Sequence, residues 1–376
     1  MSTRTQTILA RLQAELDELR RRDQFRELDV VSGLNLCSND YLGLSGDERL
    51  QNAVIRAIES GQEMSSTGSR LLAGNSRLWE HLESRLAEFV GADDAVYFSS
   101  GYLANIGLLT ALANPTTTIF SDSANHASLI DAIRLSRAQK VIYPHNDLNF
   151  LEHELKTPAS GERIIVVESI FSMDGDRAPL ADLYKLADRY DAGVIVDEAH
   201  ATGVVGARGA GFVGAGRPDC VIATVHTCNK ALASMGAFVA CSTTVKQYLI
   251  NRARPFIFST ALAPYVAAQT AEAVKIVEES DDRRAHLANL STYLVGELRR
   301  MAIDTGGTES HIVPVILGAN SAALKAAETL RERGFGVRAV RPPTVPQGTA
   351  RLRLSLTSRL KQEQLASLVT ALNDVR

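Results

Sequence analysis

Ile8, Leu12, Leu16 and Leu19 recur at helical spacing through Thr7–Asp23, and the stretch ends in Arg20, Arg21 and Arg22. The pattern predicts an amphipathic helix whose basic end suits the negative pole of the helix dipole. Leu34–Leu44 (LNLCSNDYLGL) is apolar but interrupted by Asn39, Asp40 and Gly43, which predicts a short strand turning into a loop. From about residue 46 to 255 a rhythm sets in: a short apolar run, a turn, then a helical stretch. The runs are Ala95–Phe98, Thr118–Phe120, Val141–Tyr143, Ile164–Val167, Val194–Val196, Val221–Val225 and Ala237–Ala240. Short β-rich runs separated by helical lengths predict one α/β unit, a mainly parallel seven-stranded sheet with helices on both faces.

After FSTALAP (Phe258–Pro264) the texture changes. Tyr265–Met301 is helical in pattern but carries EESDDRRAH at its middle, so two helices or one bent helix are expected. Short strands at His311–Leu317, Val337–Val340 and Arg351–Leu356, with helices at Ala322–Arg333 and Lys361–Val375, predict a smaller α+β domain. The expected divisions are therefore an N-terminal helix and arm over 1–45, a large α/β domain over 46–255, and a C-terminal domain over 256–376. No internal repeat or low-complexity linker separates them.

Composition narrows the class without naming a reaction. The 376 residues carry 40 Lys plus Arg against 43 Asp plus Glu, with 45% hydrophobic and 22% charged positions. This is a globular balance, and it lacks the basic excess of a protein that neutralises nucleic-acid phosphates. MSTRTQTILARLQAE has no apolar h-region and nothing approaches a membrane-spanning run, so a cytoplasmic protein is expected. Cys37, Cys220, Cys228 and Cys241 are widely spaced and read as reduced packing thiols, with no metal site among them.

Two strings imitate nucleotide motifs. Gly209–Gly214 (GAGFVG) fits G-x-G-x-x-G, but no clear strand precedes it and AGRP, a poor helix, follows, so a flexible surface loop is expected. Asp197–His200 spells DEAH, but a helicase also needs the phosphate loop G-x-x-x-x-G-K-[ST], which the chain lacks.

The informative polar residues follow the predicted strands, the edge at which open α/β sheets bind ligands. Asp197 and His200 follow one strand, and Thr227, Cys228, Asn229 and Lys230 follow the next. Asn125–Ser128 and Glu168–Ser172 follow two others, and Ser99–Tyr102 joins a strand to a helix. Small residues at a strand-to-helix turn expose backbone N–H groups suited to phosphate. A phosphate cup, a lysine and a buried aspartate together meet the needs of pyridoxal 5'-phosphate: an amine for a Schiff base, an anion for the pyridine nitrogen, and phosphate donors. A lysine after a strand is ordinarily a solvated residue, but Lys230 lies within an otherwise apolar stretch.

At these residues the chain resembles the α-oxoamine synthases, pyridoxal-phosphate enzymes of the aspartate-aminotransferase fold (fold type I). The resemblance covers nearly the whole chain. SNDYLGL (Ser38–Leu44), SGYLANIGLL (Ser100–Leu109), His126–Ser128, ESIFSMDGDRAPL (Glu168–Leu180), VDEAHATGVVG (Val196–Gly206), HTCNKALASMGAFV (His226–Val239) and FSTALAP occur in order. The resemblance implies that Lys230 carries the Schiff base and acts as Cα base, and that Asp197 pairs with the pyridine N–H. It implies that His200 bonds the ring oxygen and His126 stacks on the ring and polarises the acyl carbonyl. Gly101 and Tyr102 would supply phosphate contacts, with hydroxyls from Thr227 and Ser172. Ser259 and Thr260 would reach the partner's phosphate, in a homodimer with shared active sites. Arg353, in competition with Arg351, would clamp the amino-acid carboxylate near Asn39, while Thr344 and Arg20 or Arg21 would face the acyl donor.

Within the family, Arg341–Leu360 (RPPTVPQGTARLRLSLTSRL) is most similar to members that join L-alanine to a pimeloyl thioester, on acyl-carrier protein or CoA, with loss of CO2. Sister enzymes that take glycine, and non-catalytic subunits of heteromeric synthases, are the alternatives. The chain departs from the family pattern at Asn229, where glycine usually precedes the lysine, and at Glu198, commonly Asp. Asparagine tolerates left-handed backbone better than most residues.

Overall fold

The computed structural model describes residues 3–158 and 160–374. Two compact units emerge, one formed by Asn39–Ser172 with Asp176–Leu287, the other by the chain up to Ser38, Met173–Gly175 and Ala288 onward.

The first unit is built on a seven-stranded sheet in the spatial order Asp94–Phe98, Ala237–Cys241, Val221–Thr227, Ala192–Asp197, Arg163–Glu168, Thr118–Asp122 and Gln139–Tyr143. Every predicted strand is present, lengthened by one to three residues. Only Ala237–Cys241 runs antiparallel to its neighbours. Because both of its pairings reverse direction, Asp94–Phe98 points the same way as the five parallel strands. Six strands thus end on one edge of the sheet.

The central strands read as continuous apolar runs because both faces are covered. One face packs Val96, Ile119, Val166, Ile195 and Val225 with Leu108, Leu129 and Phe256. The other packs Phe120, Val167, Val194 and Val196 with Leu151, Leu183 and Phe171. The helical stretch after FSTALAP resolves into two helices, Pro264–Glu278 and Asp281–Arg300.

Gly209–Gly214 is not the flexible surface loop expected from its sequence. Gly209, Ala210, Gly211 and Val213 are buried. Both carboxylate oxygens of Glu198 accept from Phe212 N at 3.1 Å, and Oε1 also accepts from Val213 N at 3.0 Å. Gly211 has φ +97°, and a Cβ there would lie 2.7 Å from Glu198 Oε2. A buried carboxylate thus organises the loop, and glycine is required where backbone passes over it. Burial raises the Glu198 carboxyl to about 7, against the pull of its backbone hydrogen bonds.

In the second unit, Ile312–Gly318, Ala350–Ser355 and Ala339–Val340 form an antiparallel sheet with Ala350–Ser355 at the centre. Of the predicted strand Val337–Val340 only Ala339–Val340 forms, and a separate two-residue strand ahead of it, Phe335–Gly336, pairs in parallel with Leu34–Asn35. The N-terminal helix spans Thr3–Arg21, and Ile8, Leu12 and Leu16 of its apolar stripe are exposed. Among the described residues no helix is long and apolar enough to cross a membrane.

His145 braces the edge of the large sheet at which the parallel strands end. Its Nδ1 lies 2.9 Å from Asp122 Oδ1, at a strand end, and its Nε2 lies 2.7 Å from Asp176 Oδ2. Burial works against a charged imidazole, but the two carboxylates outweigh it and raise its pKa to about 10. Between pH 6.5 and 10 the folded chain keeps a proton that the unfolded chain releases, so this contribution to stability falls as pH rises through that window. Urea midpoints at pH 6.5 and 9.5 should show this decline, flattened in His145→Gln. An equal decline in the variant would remove His145 as its source.

Candidate active site

The strand Ala192–Asp197 is apolar until its last residue, so the fold delivers Asp197, 5% exposed, to the sheet edge. Asp197 lies in register with Glu168 on one neighbouring strand and Val225 on the other. Thr227 closes the next strand, and the chain then turns through Cys228 and Asn229 to Lys230. Around these ends lies a cavity of about 230 Å³ lined by Gly101, Tyr102, Asn105, His126, Ser128, Glu168, Asp197, His200, Thr227 and Lys230, among others.

The helix Gly101–Leu112 begins at this cavity. Ser100 Oγ caps it by accepting from Leu103 N at 3.2 Å. A Cβ at Gly101 would stand 2.5 Å from Thr227 Cγ2, so the helix start reaches the neighbouring strand end only as glycine. One turn on, Asn105 Nδ2 donates to Asp197 Oδ2 at 2.8 Å and to Ser128 Oγ at 2.9 Å. Asp197 Oδ1 accepts from Ala199 N at 2.9 Å. Both carboxylate oxygens are therefore held by neutral donors. Asn105 Oδ1 is buried without a hydrogen-bond partner.

His126 is fixed at both its backbone and its ring. Its N–H donates to Glu168 Oε1 at 2.5 Å, and its Nδ1 accepts from Ser128 N at 3.2 Å and lies 2.8 Å from Ser128 Oγ. Acceptance at Nδ1 leaves Nε2 to carry the hydrogen of the neutral ring. Burial lowers the His126 pKa, while Asp197 raises it and Lys230 lowers it further. Glu168 is held well above the usual carboxylate range, first by burial and then by Asp197. Backbone N–H groups of His126 and Ser172 and the charge of Lys230 pull the other way. His200 Nδ1 lies 2.6 Å from Tyr41 Oη, which donates to Asn39 Oδ1 at 3.0 Å.

Of the residues singled out in the sequence, Gly101, Tyr102, His126, Asp197, His200, Thr227 and Lys230 share this cavity. The Thr227 hydroxyl donates to Ala199 O at 3.2 Å, and Ser172 is buried with its backbone bonded to Glu168. Asn39 stands behind His200, through Tyr41. Ser259 and Thr260 line a different pocket, with Arg70 and Phe256. Arg20, Thr344 and Arg353 belong to the other unit. There Arg351 is buried against Asp174, while Arg353 Nη1 donates to Ser355 Oγ at 2.6 Å. Arg20 lies 4.0 Å over the Phe25 ring, whereas Arg21 pairs with Glu18. Asn229 does not have a positive φ, so its replacement of glycine imposes no left-handed strain. The Cys228 thiol is pushed up to about 12 by burial, in keeping with a packing role.

Asn105 and Tyr41 were not singled out by the sequence reading. A signal for Asn105 exists: it is the one polar residue in LANIGLL, four positions after Gly101, and so shares its helix face.

The group that these residues fit is pyridoxal phosphate. They offer an amine at Lys230, a carboxylate at Asp197, a glycine-opened helix start for phosphate, and an imidazole at His126. A family model described as aminotransferase class I and II matches residues 31–372. A protein of Anaeromyxobacter dehalogenans named 8-amino-7-oxononanoate synthase is 44% identical, over 90% of this chain and 85% of its own length. A Geobacillus kaustophilus protein provisionally given the same name is also 44% identical, over 94% of this chain and 92% of its own. Among solved structures, Sphingomonas wittichii serine palmitoyltransferase superposes with a TM-score of 0.88 at 30% identity, covering 99% of this chain and 97% of that one. The 8-amino-7-oxononanoate synthase of Francisella tularensis gives a TM-score of 0.79 at 28% identity, covering 91% and 97%. Other solved neighbours carry pyridoxal phosphate, one as an internal aldimine of SPT. With an active-site edge of this composition and relatives of this closeness, the chain belongs to the class I and II aminotransferase family, in its α-oxoamine synthase branch.

Proposed function

We propose that this chain is an 8-amino-7-oxononanoate synthase, condensing L-alanine with a pimeloyl thioester, with loss of CO2, in biotin biosynthesis. The observation that supports this reading is the 44% identity to proteins of that name over nine-tenths of the chain. Pyridoxal phosphate bound at Lys230 supplies a Schiff-base carbon and a sink for negative charge arising at the amino acid's Cα.

The residues divide the remaining work. Asp197 holds the pyridine N–H, oriented by Asn105 and Ala199. The N-terminus of Gly101–Leu112, with Tyr102, Thr227 and Ser172 around it, receives the phosphate. His200 approaches the ring oxygen. Once the amine of alanine has taken its place on the cofactor, the freed Lys230 Nζ would remove the proton from alanine Cα and return one after CO2 departs. His126, whose pKa burial lowers, would stack on the cofactor and donate from Nε2 toward the thioester carbonyl oxygen as it gains charge. Arg353 takes the alanine carboxylate near Asn39, and Arg20 with Thr344 faces the acyl chain. The protein acts as a homodimer in which Ser259 and Thr260 complete the partner's phosphate site. Supporting that arrangement, these two residues lie outside the Lys230 cavity, and the apolar stripe of the N-terminal helix is exposed.

Assays crossing alanine, glycine and serine with pimeloyl, acetyl, succinyl and palmitoyl thioesters test the reading. Alanine with a pimeloyl donor should give the highest kcat/KM, and Lys230→Ala should reduce turnover by at least about 10³-fold. Condensation of serine with palmitoyl-CoA, or of glycine with acetyl-CoA, but none with alanine and pimeloyl donors would overturn it.

Asn105→Ala should weaken pyridoxal-phosphate binding by about 1–3 kcal/mol, because the Asp197 oxygen and Ser128 lose their donor together. Asn105→Asp should do worse by placing a carboxylate against Asp197. Cofactor titration followed by visible absorbance measures both. Wild-type affinity in Asn105→Asp would show that this bond does not position Asp197.

A further inference from the structure

Tyr41 is fully buried, and its hydroxyl reaches two residues of the proposed site. Oη lies 2.6 Å from His200 Nδ1 and donates to Asn39 Oδ1 at 3.0 Å. All three residues belong to the unit built on the large sheet. Both segments that meet here are held in place. The Asp40 carboxylate accepts from Leu44 N at 2.7 Å and Ser45 N at 3.0 Å, and Arg283 donates to Leu42 O at 2.9 Å. These bonds fix the turn that carries Asn39 and Tyr41. The turn that carries His200 is fixed at Glu198 O, which accepts from Ala201 N at 3.0 Å and from both Thr202 N and Thr202 Oγ1 at 2.8 Å.

A phenol has one hydrogen to donate. Because Tyr41 gives it to Asn39 Oδ1, the short contact to His200 forms as a hydrogen bond only with a hydrogen on Nδ1 and with Oη accepting it. The neutral imidazole then has its lone pair at Nε2, the nitrogen left for the cofactor's ring oxygen. A hydrogen shared between that oxygen and Nε2 can pass to the imidazole, because Oη supports the resulting imidazolium at Nδ1. The ring oxygen keeps the electron pair and the negative charge. At the other end, acceptance at Oδ1 fixes which way the Asn39 amide faces. Its hydrogens lie on the other end, at Nδ2, which suits donation to a carboxylate.

We propose that Tyr41 is a positioning residue that couples the cofactor's ring oxygen, through His200, to the amino-acid carboxylate, through Asn39. The inference rests on the reading above, in the roles it gives His200 and Asn39, and on no feature of the acyl donor. Phenylalanine at this position would fill the same buried space, but His200 Nδ1 and Asn39 Oδ1 would both lose the bond that orients them.

The tests use the full-length, pyridoxal-phosphate-loaded protein and no acyl donor. In the wild type, NMR of isotopically labelled histidine nitrogens, with His200→Ala giving the assignment, should find a hydrogen on Nδ1 of His200. A bare Nδ1 would overturn the proposal whether or not any variant folds. In Tyr41→Phe the cofactor's absorbance should move from its visible band toward the near-ultraviolet, as the ring oxygen keeps its hydrogen. Alanine, glycine and serine share the carboxylate, and the Kd of whichever the protein binds, read from the spectral change on titration, should rise about three- to tenfold. Both effects should be non-additive. Tyr41→Phe should add no spectral shift in a His200→Ala background and no loss of amino-acid affinity in an Asn39→Ala background. A side chain that only packs would move neither readout. An unchanged spectrum, an unchanged Kd, or additive losses in either pair would each overturn the proposal. A chain that shows this coupling but does not condense alanine with a pimeloyl thioester would refute the proposed activity and spare the role of Tyr41.

Discussion

The candidate site depends on one carboxylate delivered to the end of a strand that is otherwise apolar. A buried anion there is costly unless donors meet it. Asn105 Nδ2 and Ala199 N meet the two oxygens of Asp197 at 2.8 and 2.9 Å. Each donor comes with a structural commitment. Asn105 requires the helix Gly101–Leu112 to run close beside the strand end, and that approach makes glycine necessary at 101, against Thr227. The Asn105 amide also bonds Ser128, whose N–H and hydroxyl set the His126 ring. A single satisfied carboxylate thus ties the helix start at Gly101, the aspartate and the histidine into one geometry.

The parallel sheet was legible because its strands are buried on both faces, which leaves short continuous apolar runs between turns. The polar residues immediately after those runs had to lie on one edge, and for that reason Lys230, Asp197, His126, His200, Thr227 and Gly101 fall around one cavity. Features that depend on contacts between remote segments were not legible. Leu34–Asn35 pairs with Phe335–Gly336, and nothing in either dipeptide specifies the other. Gly209–Gly214 reads as loose because it is rich in glycine. It is pinned by a carboxylate at Glu198 whose position in the sequence suggested only a minor variation on Asp.

Burial settles the charge state inside the cavity. At both His126 and Glu168 the charges of Asp197 and Lys230 act in opposite directions. The two fields therefore offset one another, and desolvation decides the outcome. It lowers the pKa of the imidazole and raises that of the carboxyl, moving both groups toward their neutral forms. Asp197 and Lys230 thus stand among hydroxyl, amide and backbone groups and two side chains that burial moves toward neutrality. That arrangement suits chemistry in which negative charge appears at a carbon and must be drawn toward the ring nitrogen. Under the proposed roles an ionised Glu168 would oppose the charge as it forms, and a charged His126 would compete with Lys230 for the proton. The low-dielectric edge of the sheet disfavours both.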